Sequence, residues 1–307
     1  MRQLRNFAFL FTLIGITALL ITSCQKDSDL NETKQGTLHL SITDAPIDAY
    51  DITGVFITFT GIEYNQDETW MVLEEFDGPM TLNLLELTDG ISAQMGSFEL
   101  PAGTITQLRF MLEAPEMGYG SHTNPGCYLE FGDGTTQPLF VPSGAQTGYK
   151  AVGEFIIPAQ GDIYITADFD VRKSVVVAGN SGKFILKPTI RLVVEDRSGE
   201  IDGTLLNMDD ETEGLGYLVY IYDADAYDES EADEPAEEEP RFPNAISSKL
   251  VDEDGKFMFA FLPEGIYELV VVTAIDGDFS EVIGIIEDIE VIRNETTVVE
   301  IDITGLE

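Results

Sequence analysis

Basic side chains are scarce in this sequence. Lysine and arginine together number 16, against 56 aspartate and glutamate residues, so the formal net charge at neutral pH is −40. Such a charge repels the phosphates of nucleic acids, which argues against nucleic acid as a partner. The sequence also contains no P-loop and no Gly-x-Gly-x-x-Gly strand–helix unit, so it predicts no nucleotide site.

Cysteine and histidine are almost absent. Cys24, Cys127, His39 and His122 are the complete set. The sequence has no cysteine pair and no His-Glu-x-x-His motif, which argues against zinc, and neither histidine lies near a serine in a nucleophile motif. With 56 acidic residues, carboxylate pairs arise by chance and say nothing about a glycosidase. We therefore predict a protein without catalytic activity.

No apolar run is long enough to span a bilayer comfortably. The run at residues 7–21 follows a short basic region and ends in Ile21-Thr22-Ser23-Cys24. This segment resembles the bacterial lipobox, in which the cysteine receives diacylglycerol before the signal peptide is cleaved. The resemblance implies a lipoprotein signal peptide over residues 1–23, lipidation of Cys24 and a flexible tether over residues 24–35. An ordinary signal peptide or an N-terminal membrane anchor is the alternative.

The lipobox resemblance also implies a cellular location. The mature protein is expected to be an outer membrane lipoprotein, on the cell-surface or the periplasmic side, with its lipid anchor in the membrane. Residues 25–29 mix one lysine with acids, like the cluster that some Gram-negative bacteria use to export lipoproteins to the surface. Because lipid occupies Cys24, Cys127 has no intrachain partner, and we predict that it is buried as a small hydrophobe.

Alternation of apolar and polar residues dominates from residue 36 onward. Leu38, Leu40 and Ile42 occupy alternate positions, and residues 163–169 repeat the pattern, which is typical of half-buried antiparallel strands. Turn signals such as Asp89-Gly90 separate these segments, and no long helical stripe appears. The sequence therefore predicts an all-β protein with two antiparallel β-sandwich domains in tandem.

The composition changes near residues 195–199, which predicts one domain over 36–196 and a second over 199–304. The second domain is interrupted at residues 223–239, where ten acids occur with no base. Like charges at that density repel one another, so we expect this acidic insert to be disordered.

Two motifs mark the second domain. Asp-x-x-Gly-x-Phe occupies residues 252–257, and Leu-Pro-x-Gly-x-Tyr-x-Leu occupies residues 262–269. Glycine at position 255 permits the positive φ of a tight turn. The pair resembles the carboxypeptidase-regulatory-like, transthyretin-like β-sandwich, although the acidic insert departs from that pattern. The resemblance implies a structural module with no chemistry of its own.

The first domain carries a different signature. Asp44-Ala45-Pro46 follows the first predicted strand, and Leu100-Pro101-Ala102-Gly103 and Leu186-Lys187-Pro188 come later in the same order. Together they resemble an uncharacterised family of bacterial and archaeal extracellular domains marked by Asp-Ala-Pro. This resemblance implies no known activity and no assigned functional residues.

Three acidic residues are candidates for a metal site. Asp168 and Asp170 occupy alternate positions of one strand, so both carboxylates face away from the core, and Asp44 joins them if the first strand lies alongside. Oxygen ligands of this kind suit Ca²⁺, the one cofactor that the sequence suggests. Pairing of the two aspartates with Arg172 or Lys173, and an Asx-turn at Asp44, are the alternatives.

Trp70 is the single tryptophan and a candidate ligand-binding residue. Its alternative role is packing at a sheet edge. The function predicted from the whole sequence is a lipid-anchored extracytoplasmic binding or adhesion protein with a glycan or protein ligand. A carbohydrate-capture accessory lipoprotein is one alternative. A pilus-like assembly subunit is another, with residues 297–303 as the strand that donates or accepts.

Overall fold

The computed structural model describes residues 34–45, 52–113, 126–141, 148–177, 182–209, 211–235 and 239–306. The all-β prediction is confirmed, since strands separated by short helical turns make up this part of the chain. The predicted signal peptide, Cys24, His122 and the predicted tether up to residue 33 lie outside the described residues. None of the described helices is long and apolar enough to cross a membrane.

Thirteen strands form the N-terminal sheet. They are β1 (Gln35–Ala45), β2 (Ile52–Gln66), β3 (Thr69–Val72), β4 (Met80–Asn83), β5 (Ala93–Pro101), β6 (Gly103–Leu112), β7 (Tyr128–Phe131), β8 (Thr136–Phe140), β9 (Tyr149–Ile157), β10 (Asp162–Asp170), β11 (Val175–Val177), β12 (Phe184–Leu186) and β13 (Ile190–Val194). The strand order is β11-β12-β8-β7-β2-β6-β9-β13-β10-β1-β5, with β3 and β4 also paired to β2.

The inner side of this sheet forms one core. Leu38, Leu40 and Ile42 of β1 are fully buried, as are Ile165 and Ala167 of β10. The two strands are parallel, and β8 with β12 and β9 with β13 are parallel as well, whereas the other pairings of this sheet are antiparallel. Alternation has period two in both arrangements, so it predicts which side of a strand is buried but not the direction of its neighbour.

Seven further strands build the C-terminal part. They are β14 (Ser198–Leu206), β15 (Leu215–Asp223), β16 (Ser247–Leu250), β17 (Lys256–Pro263), β18 (Gly265–Ile275), β19 (Asp278–Val291) and β20 (Thr296–Asp302). One sheet has the order β17-β14-β20 and the other β16-β15-β18-β19. Ile201 and Phe259 from the first sheet and Val219, Leu269 and Val271 from the second share a separate core.

Two features predicted from the sequence can be compared with the structure: the turn at Gly255 and the boundary between the two domains. Gly255 has φ +78° in a turn whose Asp252 carboxylate accepts two backbone N–H groups. The predicted boundary falls at a 3-10 turn over Glu195–Arg197, between β13 and β14. The chain from Gln35 onward nevertheless forms one compact unit, so division into two domains stays a prediction.

The acidic insert differs from its prediction. The insert was expected to be disordered over residues 223–239, but its described residues 223–235 include a 3-10 turn over Glu229–Ala232 that is closed by a capping box between Asp228 and Glu231. Strand β15 is apolar on both sides, and the insert covers the side turned away from the sandwich core, where Tyr227 and Ala232 pack on a cluster that includes Tyr222. Charge repulsion is outweighed there because that apolar side would otherwise face water.

Cys127 confirms the expectation of burial. Its side chain is fully buried, and Sγ–H donates to the Glu113 carbonyl at 3.2 Å. Burial raises the pKa of the thiol to about 12. The thiolate is therefore unpopulated near neutral pH, and this cysteine serves as packing.

Candidate functional site

The predicted metal ligands Asp168 and Asp170 end up in ion pairs. Asp168 lies on the side of β10 that faces away from the core, and its Oδ2 is 2.6 Å from Arg191 Nε on β13. Asp170 caps a short helix, α1 (Val171–Ser174): its Oδ1 accepts from the Lys173 N–H, and its Oδ2 lies 3.4 Å from Lys173 Nζ. Each of these two carboxylates therefore has a cationic side chain as its partner.

Asp44 lies on the other side of the strand pair. It pairs in register with Phe169, and both side chains continue the core side of their strands. Its Oδ1 accepts from the Val171 N–H at 3.2 Å, while its Oδ2 is buried without a hydrogen-bond partner. In the described ranges, no three His, Cys, Asp or Glu side chains are placed to hold a metal ion. Calcium binding stays a prediction. Of the ion pairs expected as the alternative, Asp170 pairs with Lys173 and Arg172, whereas Asp168 pairs with Arg191.

Replacement of Asp44 by asparagine is expected to stabilise the protein increasingly as pH rises. Burial, and then the charge of Asp168, raise the pKa of the Asp44 carboxyl in the folded state. The folded state therefore binds more protons than the unfolded state between the two pKa values, and stability contributed by protonated Asp44 is lost as pH rises through the folded pKa. Urea unfolding of both proteins from pH 4 upward measures this difference. A difference that shrinks with pH would contradict the prediction.

Arg172 makes the contact that the sequence analysis missed. Its Nη1 donates to the carbonyls of Arg241 and Phe242 at 3.0 and 2.9 Å, and its Nη2 donates to the Ala245 carbonyl at 3.2 Å. Lys173 Nζ donates to the same Ala245 carbonyl at 2.5 Å. We call these contacts the arginine clamp. They join α1 to the segment that follows the acidic insert, some seventy positions away along the chain.

An ion pair also joins the same two parts of the chain. Lys249 Nζ on β16 lies 3.1 Å from Asp89 Oδ1, although the lysine side chain is only 6% exposed. The buried Thr43 hydroxyl donates to the Leu87 and Ile91 carbonyls and shapes the loop that carries Asp89. The clamp and this pair are long-range contacts, and no local motif predicts them.

Trp70 lies on the outer side of the N-terminal sheet. It is half-buried on β3, next to Asn65 of β2, and the Arg109 guanidinium carbon stands 3.9 Å from the ring centroid. Lys150 Nζ is 6.0 Å from the same centroid. Arg109 is held in place by Glu63, since its Nη1 donates to Oε2 at 3.0 Å. The predicted edge packing is therefore present, and it leaves the tryptophan beside two cations.

Exposed aliphatic side chains lie on the two strands at either side of this cluster, β3 and β9. Val72 is 58% exposed on β3, and Val152 and Ile156 are 65% and 59% exposed on β9. Strand register places Glu63 opposite Val72 and Arg109, and Arg109 opposite Lys150. We call the surface formed by Trp70, Arg109, Lys150, Val72 and Val152 the Trp70 face.

His39 takes part in a row of polar side chains on the same outer side. Its Nδ1 is 2.8 Å from Ser97 Oγ, its Nε2 is 3.4 Å from Asp162 Oδ1, and its ring stacks on Tyr164 at 4.5 Å. The order resembles a serine hydrolase triad, but the Asp162 side chain is 58% exposed. A solvated carboxylate orients and stabilises an imidazolium weakly, so we assign this row to surface hydrogen bonding and not to catalysis.

Comparison with solved structures gives matches of low identity. The Bacillus anthracis TIE protein is 13% identical over 88% of this chain, with a TM-score of 0.20, and the chain spans 34% of its length. The major pilin subunit of Bacillus cereus is 12% identical over 88% of this chain and 99% of its own, with a TM-score of 0.21. The minor pilin of Streptococcus agalactiae is 12% identical over 86% and 94%, with a TM-score of 0.20. At such TM-scores the likeness does not extend to a shared arrangement of the whole chain.

Comparison at the level of sequence is more informative. No curated protein matches the chain. A family model does match, over residues 35–188, and its description is a domain of unknown function. That range holds Trp70, Asp168, the arginine of the clamp and the whole of β1 to β12, and it agrees with the uncharacterised domain expected there. The chain therefore belongs to the family DUF4382, a domain of unknown function.

Proposed function

We propose that this protein is a lipid-anchored extracytoplasmic binding or adhesion protein without catalytic activity, and that it binds its ligand on the Trp70 face. The lipobox resemblance around Cys24 supports the anchor and the address. The observation that carries the proposal is the stack of Arg109 on Trp70, 3.9 Å apart, beside exposed valines on an open sheet surface.

The physical case rests on composition and geometry. Exposed apolar side chains beside a half-buried aromatic ring are typical of interaction sites, because their contact with water has a cost in free energy. The Glu63–Arg109 ion pair fixes the arginine, and the arginine fixes the indole ring, so little side-chain entropy is lost when a ligand arrives. Lys150 carries positive charge at the same place, in a chain whose net charge is −40.

Carbohydrate is the class of ligand that this cluster favours. An indole ring stacks on the apolar side of a sugar ring, and cations beside it bind carboxylates or sulfates by charge-assisted hydrogen bonds. Trp70 with Arg109 and Lys150 offers both, which favours an acidic polysaccharide over a neutral one.

An assembly subunit is the other alternative. Strand β20 is the outer strand of its sheet, and Val298 on it is 70% exposed. Residues 296–302 already pair with β14 in parallel, so this strand is placed to accept a partner strand at its open edge and not to be donated.

Replacement of Trp70 by alanine is expected to weaken glycan binding by about tenfold or more, because aromatic anchors dominate such interfaces. Binding to an array of acidic and neutral polysaccharides measures the effect. Tyr128→Ala is the matched control, since this aromatic residue stacks on Phe56 at a different place in the sheet. Equal binding by wild type and Trp70→Ala, or binding of neutral glycans only, would overturn the proposal. Polymer ladders without glycan binding would favour assembly.

A further inference from the structure

Strand β20 lies at the edge of its three-stranded sheet and pairs only with β14 among the described strands. The pairing is parallel and keeps one register over all seven residues of β20. The Glu200 N–H on β14 donates to the Glu295 carbonyl, and the backbone groups of successive strand residues point in opposite directions. The N–H and C=O groups of Val298 and Glu300 therefore point away from β14, toward the open edge.

The other strands at sheet edges of the described chain are protected against pairing with a foreign strand. β3, β4, β11 and β16 have only three or four residues each. The registers of β5 with β1 and of β19 with β18 shift, the second at three places. β17 faces the N-terminal part, where Ala260 lies next to Gly90. Short strands, irregular registers and covering segments prevent edge pairing, whereas β20 is seven residues long, regular and free of lysine and proline.

Val298 lies near the middle of this open edge. It is 70% exposed, the largest value among the exposed large hydrophobic side chains of the described chain. Val299 and Ile301 pack on the sandwich core, so alternation places Val298 on the opposite side of the sheet. A partner strand would cover part of this apolar surface and would pair the open backbone groups at the same time.

We infer that β20 pairs with β20 of a second copy of this chain, antiparallel and about a two-fold axis at Val298. This pairing places Val298 opposite Val298 of the second copy, and Thr296 opposite Glu300. The two valines pack on each other, and no like charges lie opposite each other. A two-fold contact uses the same edge on both copies, so it closes at a dimer and produces no fibre.

The acidic side chains of β20 exclude the other ways of joining the two edges. A parallel pairing in register places Glu300 beside Glu300 of the second copy, and an antiparallel pairing about Glu300 places the two directly opposite. Like charges in these positions are destabilising. An antiparallel pairing about Val299 places Val298 opposite Glu300, which leaves an apolar side chain against a charge. Of these arrangements, the pairing about Val298 alone matches apolar with apolar side chains.

Disulfide crosslinking tests both the partner and the direction of the pairing. In Val298→Cys, the Cα atoms of the two cysteines would lie about 5.5 Å apart, within the disulfide range of about 4.4–6.8 Å. In the matched control Glu300→Cys, the two cysteines would be four residues apart along the strands, about 13 Å, which no disulfide spans. Wild type, with Cys24 and Cys127, gives the background.

Mild oxidation of the full chain should therefore produce a dimer band on a non-reducing gel for Val298→Cys and only the background for Glu300→Cys. No dimer band above background for Val298→Cys would overturn the inference. Equal bands for both variants would mean parallel pairing, and a ladder of higher polymers would mean an open assembly, so either result would overturn the two-fold pairing.

Val298→Glu tests the contact without a covalent bond. Two opposed carboxylates should raise the dissociation constant of the dimer by about tenfold or more, measured by sedimentation equilibrium of the full chain in density-matched detergent. Val177→Glu is the matched control, since Val177 is 47% exposed on the three-residue strand β11, and it should leave the dimer unchanged. A dimer that persists in Val298→Glu would refute the assignment. Trp70→Ala should dimerise like wild type, which separates this inference from the glycan proposal.

Discussion

Replacement of Arg172 by methionine is expected to lower the free energy of unfolding by about 3–5 kcal/mol, the range seen when one partner of a buried ionic network is removed. Three backbone carbonyls would lose the guanidinium donors, and Asp170 would lose one of its two cations. Methionine fills similar space, so the loss reports on hydrogen bonding and charge more than on packing.

The clamp is also expected to determine how the protein unfolds. Because Arg172 joins α1 to residues 241–245, its loss should uncouple the two parts, and unfolding should change from one transition to two. Urea titration followed by Trp70 fluorescence reports the N-terminal part, and circular dichroism reports both. Coincident transitions in the variant would contradict this result.

Two further variants separate charge from geometry. Arg293 is exposed in the turn between β19 and β20, and Arg293→Met is expected to change stability by less than about 0.5 kcal/mol, as surface substitutions do. Arg172→Lys keeps the charge but lacks the planar group that reaches three carbonyls, so it should recover little of the loss. Full recovery by lysine would mean that charge alone holds the contact.

Replacement of Glu231 by alanine is expected to release the acidic insert from the sheet that it covers. The Glu231 carboxylate accepts from the Tyr222 hydroxyl at 3.2 Å and from the Asn244 backbone and side-chain nitrogens at 3.0 Å each. Alanine would leave the buried Tyr222 hydroxyl unpaired, at a cost of about 1–3 kcal/mol, and would also remove both contacts to Asn244. Local opening of the insert should therefore become frequent while the sandwich core stays folded.

Hydrogen–deuterium exchange measures this release. Peptides covering residues 227–233 and 241–246 should exchange about tenfold faster or more in Glu231→Ala, whereas peptides from β18 should not change. Glu229 belongs to the same 3-10 turn and is exposed, so Glu229→Ala is the matched control. Equal acceleration in both variants would mean that the carboxylate of Glu231 is not what holds the insert.

The acidic insert shows where a composition rule fails. Ten acids without a base predict disorder when a segment is considered alone. Here the neighbouring strand β15 carries Leu218, Tyr220 and Tyr222 on its second side, and these apolar side chains are buried only because other segments pack over them. The two-sided apolar character of residues 217–222 was the signal in the sequence that the segment after it would be held in place.

The three predicted metal ligands show a different limit of prediction from sequence. Alternation correctly placed Asp168 and Asp170 on the side away from the core. Asp44 fell on the opposite side because its position in β1 matches Phe169 and not Asp168. A shift of one residue in register reverses the side on which a carboxylate lies, and register is a property of the paired strands.

The sequence by itself determined the strands, the turn at Gly255, the burial of Cys127 and the excess of negative charge. Only the tertiary structure decided that Arg109 stacks on Trp70, that Arg172 binds carbonyls some seventy positions away, and that Glu231 anchors the insert. The reason is physical. Side-chain alternation and turn preferences act over a few residues, whereas these contacts depend on strand order and register, which are set by the packing of the whole chain.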